Sequence, residues 1–319
     1  MTESLRALLA GAIDYAGMFP PAALPLEQAL AKYRQHRSGP EAWMVGRFVC
    51  PAAQTQRLAE IFRPKHDGGV TLVVPGADTK APLPTVLDDA LTAVRESPAC
   101  GDIDVIECRW PMELVKPSNT ETLGAIVRVV VGQVAAARFP RMVLYFECPV
   151  TNGPHPNPSW SKLVRALGEY TRNGGSEVLA AGFKIRCGGT TAAEIPAAAA
   201  IAAAICTCRD EGIFWKATAG LHHPFRRVDP ALGVSMHGFI NLLTAAVMAD
   251  VHTLDIAQMQ AILEDDDPGH FRFSDEALTW HDLSATGPQI ARARDRALRS
   301  FGSCSIDEPW QDLTVLGLI

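Results

Sequence analysis

The chain is poor in lysine. Seven lysines stand against 22 arginines among 319 residues, so lysine is not the default cation and one inside an apolar run calls for a reason. Positive charge is also scarce overall. A formal net charge of −6 with a pI near 5.9 argues against nucleic acid as a partner, which would require a basic face. No basic amphipathic segment suggests a membrane surface. The most apolar stretch, Ala197 to Ile205, is short and closed by Pro196 and the Arg209-Asp210-Glu211 run, so no segment is expected to cross a bilayer. The opening MTESLRALLAGA has an acidic rather than a basic n-region, unlike a signal peptide. Eight cysteines lack the spacing of a disulfide framework. Without an export signal they read as reduced thiols of a cytoplasmic protein.

The informative stretch is Ala181–Pro224. Two apolar runs of one design, AGFKIRCGG and IFWKATAGLHHP, each carry a single lysine near the end, Lys184 and Lys216, and each is broken by a glycine, Gly188 and Gly220. The alanine-rich segment between them, from about Thr191 to Cys208, is too long for a hairpin and rich in the best helix former. Strand, helix, strand is a βαβ unit with parallel neighbours, which sets two ammonium groups side by side. Burial and a neighbouring positive charge both disfavour the charged amine. The expectation is therefore a lysine whose pKa is lowered toward neutrality, as amine nucleophilic catalysis needs. The bland alternative is a lysine that snorkels to the rim or pairs with a carboxylate.

The alternation extends over the chain. GAIDYAGMFPP, Ala42–Cys50, GGVTLVVPG, Asp102–Trp110 and Met142–Pro149 read as strands one to five, with helical patterns at Leu26–His36, beyond Pro51 to about Phe62, Pro84–Glu96 and Glu121–Ala137. A Pro/Asn/Gly-rich loop with His155 leads to a helix from Trp160 to about Arg172, and RSFGSCS is a short last strand before a small helix at Pro309–Leu316. Eight strand–helix units predict an α/β fold, a (β/α)8 TIM barrel spanning residues 1–319. Its main irregularity is an extended helical and hairpin insertion between strands seven and eight, residues 225–297. This insertion includes an acidic EDDDPGH turn, expected to be solvated, and suits a lid or a contact in a homo-oligomer.

Barrel active sites form at the C-terminal ends of strands. Polar residues near those ends are Asp14, Arg47, Asp104, Glu107, Arg109, Glu147, Lys184, Arg186, Lys216 and Thr218. One buried carboxylate is usually an ion-pair partner. Ions brought by five strands to one end are harder to explain by structure alone, since each buried charge needs a partner. Carboxylates around an amine suit imine chemistry on a small carbonyl substrate, with no cofactor required.

These landmarks resemble the deoxyribose-phosphate aldolase family of class I aldolases. IDYAGMFPP is similar to its Ile-Asp-His-Thr opening, and RFVCPAAQTQRLAE to its second strand and following helix. DIDVIECRW is similar to its Val-Asp-Val-Val strand, VLYFEC to Val-Ile-Ile-Glu-Thr, and RSFGSCS to Phe-Gly-Ala-Ser-Ser. FKIRCGG stands where the family has Val-Lys-Thr-Ser-Thr-Gly, and WKATAGLHH where it has Lys-Ala-Ser-Gly-Gly. The resemblance implies a TIM barrel with Lys184 as Schiff-base nucleophile, Lys216 as the partner that lowers its pKa, and Asp104 in proton transfer. The departures are Val143 for the family's strand-five lysine, Ala16 for a threonine, Ile185-Arg186-Cys187 for small hydroxyl residues, and Gly220-Leu221-His222-His223 for Gly-Gly. They make deoxyribose phosphate itself an unexpected substrate. Glu147 could replace the missing proton-transfer lysine. The candidate catalytic set is Lys184, Lys216, Asp104, Glu147 and Asp14. The candidate substrate-binding set is Arg186, Arg47, Arg109, Thr218, Gly302, Ser303 and Ser305, with the last three as a turn exposing N–H donors to a phosphate or carboxylate.

Two further readings compete with this lyase. His222 and His223, joined by Glu107 or other carboxylates, could hold Zn²⁺ or Mn²⁺ for hydrolysis or isomerisation, although no HxH or HExxH motif is present. A barrel that has lost its chemistry and only binds a ligand is the other.

Overall fold

The computed structural model describes residues 1–76, 83–95, 103–110, 115, 118–136, 142–150, 159–173 and 180–319. The loop carrying His155 and the expected first residue of strand four, Asp102, lie outside them.

Eight parallel strands close into a barrel. They are β1 (Ile13–Tyr15), β2 (Val45–Pro51), β3 (Val70–Val74), β4 (Ile103–Arg109), β5 (Val143–Cys148), β6 (Ala180–Arg186), β7 (Trp215–Thr218) and, after the insertion, Leu298–Ser303. The last strand pairs with both β7 and β1, closing the ring. Most read as unbroken apolar runs because barrel strands are covered on both faces. β3, VTLVV, lies between Gly68-Gly69 and Pro75-Gly76.

Around the barrel run α1 (Glu3–Leu9), α2 (Leu26–Ser38), α3 (Thr55–Ile61), α4 (Leu83–Arg95), α5 (Thr120–Ala136), α6 (Ser159–Arg172) and α7 (Ala198–Asp210). The α7 helix starts later than its composition suggests. Pro196 forbids an uninterrupted helix from Thr191, and a 3₁₀ turn at Ala192–Glu194, closed by a Thr191/Glu194 capping box, comes first. The stretch Ala192–Asp210 is long and apolar enough by composition to span a membrane, and half of it is buried within the fold.

The insertion holds more than the helices and hairpin read from sequence. A two-stranded ribbon comes first, β8 (Arg227–Asp229) with β9 (Val234–Met236). The helices α8 (Phe239–His252) and α9 (Ile256–Glu264) follow. A three-stranded antiparallel sheet, β10 (Phe271–Phe273), β11 (Ala277–Trp280) and β12 (Leu283–Thr286), precedes α10 (Gly287–Arg296). The eighth barrel strand is thus β13, followed by α11 (Asp307–Val315).

Gly188 and Gly220, which end β6 and β7, meet backbone to backbone. A Cβ on Gly188 would fall 2.9 Å from the Gly220 Cα, and Gly220 itself has φ +73°. Glycine is required at both positions, and their contact holds together the two turns that follow the lysine strands.

Candidate active site

Register puts the two lysines side by side. Lys184 and Lys216 are Cα partners across β6 and β7, and Glu147 is the partner of Lys184 across β5 and β6. Their side chains also meet residues from strands that are not neighbours. Lys184 Nζ lies 2.6 Å from Glu107 Oε2 and 2.7 Å from Glu147 Oε2. Lys216 Nζ lies 2.7 Å from Asp14 Oδ2. It is also 2.5 Å from Glu107 Oε1, at ion-pair distance but without the alignment of a hydrogen bond. Contacts reaching from β4 to β7 and from β1 to β7 are possible only inside the ring, so all five groups project into the barrel.

They form a line of alternating charge: Asp14, Lys216, Glu107, Lys184, Glu147. Every member is buried, with Lys216 1% and Lys184 5% exposed. The ends of the line are anchored. Asp14 accepts hydrogen bonds from the Arg47 backbone N–H (2.8 Å) and the Ser300 hydroxyl (2.8 Å). Gly46 makes room for that carboxylate, since a Cβ there would sit 2.4 Å from Asp14 Oδ1. At the other end Arg186 and Arg109 approach Glu147 Oε1 at 3.8 and 3.9 Å. Beneath the line, the Tyr145 ring centroid is 5.5 Å from Lys216 Nζ, a cation–π contact that adds to the hold on the ammonium.

The electrostatics reverse the expectation of a lowered amine pKa. Burial alone pushes Lys184 down, but Glu107 and Glu147 outweigh both burial and the repulsion of Lys216, so its pKa is raised. For Lys216, burial is likewise overcome by Asp14 and Glu107, and the pKa is raised. Burial would raise the Asp14 and Glu147 carboxyls, yet Lys216 and Arg47 in one case and Lys184 and Arg186 in the other hold both below their ordinary values. Three carboxylates on two ammoniums decide the sign. At neutral pH the resting site contains two protonated lysines.

Other expected residues lie elsewhere. Asp104 does not reach the lysines: it is gripped by the Arg47 guanidinium at 2.6–3.0 Å near the N-terminal end of the barrel strands. That is three residues, about 10 Å along the strand, from Glu107. The Arg47 guanidinium is thereby occupied too; it reaches the site through its backbone N–H on Asp14 and through its charge. The pairing of β3 with β4 shifts between Val70 and Thr71, opposite Asp104. Such a bulge redirects side chains and helps explain why the carboxylate that meets the lysines is Glu107. Sequence reasoning assigned Glu107 only to a metal site.

The metal set of His222, His223 and Glu107 does not converge. His222 Nδ1 is 2.9 Å from Glu308 and its Nε2 is 3.9 Å from Cys304 Sγ. His223 Nδ1 is 2.6 Å from Asp312, and Glu107 is taken by the lysines. The two histidines fasten α11 to the turn after β7. The polar groups of the Gly302–Ser305 turn are engaged within the protein: the Ser303 hydroxyl donates to the Ser305 carbonyl and accepts from the Ser305 N–H, and the Ser305 hydroxyl accepts from the Glu308 N–H. The helix beyond it opens with Asp307 and Glu308, whose charge opposes an anion there. Thr218 is the register partner of Arg186 and Gly302 at the C-terminal end of β7.

No family model and no curated protein matches the chain. Among solved structures it is similar to a deoxyribose phosphate aldolase from Aeropyrum pernix, described as a unique tetrameric structure, at 10% identity and TM-score 0.48 over 98% of this chain and 93% of that one.

Proposed function

We propose that the barrel is an imine-forming carbon–carbon lyase of the class I aldolase kind, acting on a small aldehyde or keto acid. The observation that supports this most is Glu107 shared between two buried lysines in register. A purely structural ion pair needs one amine and one carboxylate. A second amine in direct reach of the same carboxylate adds a desolvation cost and supplies a route for protons.

In this reading Lys184 is the nucleophile. It is the more exposed of the pair, whereas Lys216 is fixed by Asp14, Glu107 and Tyr145. Because Lys184 rests as an ammonium, its proton first passes to Glu147 or Glu107. The free amine then adds to the substrate carbonyl, and loss of water gives an iminium. The iminium draws electrons from the adjacent carbon–carbon bond while a carboxylate takes the proton of the β-hydroxyl, releasing an aldehyde and leaving an enamine. Protonation and hydrolysis return the amine. Lys216, the second positive charge beside Glu107, opposes reprotonation of Lys184. Arg186 and Arg109, beside Glu147, are the groups suited to a carboxylate or phosphate on the substrate. This agrees with the family resemblance in the strand-end motifs, with Glu107 taking the proton-transfer role expected of Asp104.

The test is reductive trapping. Incubation with a panel of small carbonyl compounds and borohydride, followed by peptide mass mapping, is expected to place the adduct on Lys184 and to lose it in Lys184→Ala. Absence of any adduct across the panel overturns the imine mechanism.

A further inference from the structure

Far from the lysines, the acidic turn after α9 gathers two imidazoles around one carboxylate. Asp265 stands at the C-cap position of α9, and its side chain is 8% exposed. His270 Nδ1 lies 3.0 Å from its Oδ2, and His281 Nε2, from the β11–β12 turn, lies 3.7 Å from the same oxygen. The three ligand atoms all fall within 4.8 Å of one another. In a tetrahedral zinc site with bonds of 2.0–2.2 Å, neighbouring ligand atoms are separated by about 3.3–3.5 Å. The separations from Asp265 Oδ2, 3.0 and 3.7 Å, bracket that value.

The surroundings fit the same purpose. The Trp280 indole N–H donates to Asp265 Oδ2 at 2.7 Å, and the Asp267 backbone N–H donates to Oδ1 at 3.1 Å. The His270 nitrogen facing away from Asp265, Nε2, lies 3.5 Å from the Asp267 carboxylate. That carboxylate stands on the side where zinc-ligating histidines commonly have an outer-shell acceptor, at ion-pair distance rather than hydrogen-bonded. Both histidines are close to half exposed (42% and 50%), which leaves a coordination position open to water.

We propose that Asp265, His270 and His281 form a binding site for a divalent transition ion, Zn²⁺ by ligand type. It joins the end of α9 to the tip of the β11–β12 hairpin within the insertion. Two imidazoles exclude Mg²⁺ and Ca²⁺, which require oxygen ligands.

The experiment is titration of chelator-treated, full-length protein with ZnCl₂ above neutral pH, read by calorimetry and by thermal denaturation, with MgCl₂ as control. One equivalent of Zn²⁺ is expected, with a rise in Tm that Mg²⁺ does not produce. His270→Ala and His281→Ala, both at exposed positions, should lose the equivalent and the shift. Trp280→Phe should retain binding weakened about 10–100-fold. Substituting Co²⁺ should give the intense visible absorption of a four-coordinate ion. The site is overturned if zinc does not bind stoichiometrically, if Mg²⁺ gives the same shift, or if both histidine variants bind zinc as tightly as the parent. Lys184→Ala, which removes the proposed imine, should leave the zinc equivalent intact.

Discussion

Lys184 and Lys216, Cα partners on adjacent strands, hold opposite oxygens of one carboxylate, Glu107, at 2.6 and 2.5 Å. The charge state of each amine therefore depends on the other through a single residue. Glu107→Gln keeps the shape and removes the charge, leaving two ammoniums with less to oppose their repulsion. The apparent pKa of Lys184 should fall, and the pH at which borohydride trapping reaches half its maximum should move downward. If Glu107 also carries the proton, turnover should drop by about 10²–10⁴-fold. An unshifted trapping profile would show that Glu107 does not govern the amine.

Lys216→Met tests the division of labour between the two amines. Trapping should persist on Lys184 with turnover greatly reduced, whereas Lys184→Met should abolish the adduct. Removing Lys216 leaves Asp14 without its ammonium, and breaking a buried pair in this way costs about 3–5 kcal/mol. Stability should therefore be measured by denaturant titration alongside activity. An adduct found on Lys216 in the parent protein would exchange the two roles.

Asp104→Asn separates the sequence-based assignment from the geometric one. The Arg47–Asp104 pair is about one-third exposed on both sides, and such pairs contribute roughly 0–1 kcal/mol. The variant should fold and should keep kcat/KM within a few-fold of the parent. A loss comparable to that of Glu107→Gln would return Asp104 to the proton path.

The barrel itself was legible because its strands are short apolar runs punctuated by Gly68-Gly69, Pro75-Gly76, Gly188 and Gly220, so alternation with helices gave the topology. The lysine pair was legible for the same reason, since a βαβ unit fixes parallel neighbours. Glu107 was not. Within DIDVIEC, Asp104 and Glu107 compete for the interior, straight alternation puts them on opposite faces, and the register shift beside β3 lies in pairing the sequence does not record. The sign of the amine shift was also missed. The carboxylates of β1, β4 and β5 are visible near the strand ends, but strand alternation does not record that they reach across the ring to the amines, so the pairing with carboxylates could not be weighed against burial and repulsion. The β8–β9 ribbon and the third strand of the insertion sheet escaped because strands of three or four residues show too little alternation to register.

Acid stability should follow from the same carboxylates. Asp14 and Glu147 have folded pKa values below their ordinary 3.8 and 4.5. Their contribution is therefore present above the ordinary values and is lost as pH falls through the lowered ones. The Tm should hold near neutrality and decline below about pH 4. In Asp14→Asn, destabilised overall by the unpaired Lys216, that decline should be shallower. Equal slopes in the two proteins would mean that Asp14 titrates as it does in the unfolded chain.

His222 gives a dependence of the opposite sign near neutral pH. Its pKa is raised from 6.5 to about 8, first by the contact with Cys304 and then, against the pull of burial, by the Glu308 carboxylate. A raised imidazole pKa contributes stability that is complete below about 6.5 and is lost as pH rises through about 8. The imidazolium holds Glu308 on the first turn of α11, so the loss should loosen that helix from the turn after β7. Between pH 6.5 and 8.5 the parent should lose at most about 2 kcal/mol, while His222→Gln, which cannot titrate, should lose less. Cys304 is the one cysteine among the described residues that is not buried, and it should become the first alkylated by iodoacetamide, faster once the helix loosens. A parent and variant with the same slope over that range would show that His222 does not hold the helix through its charge.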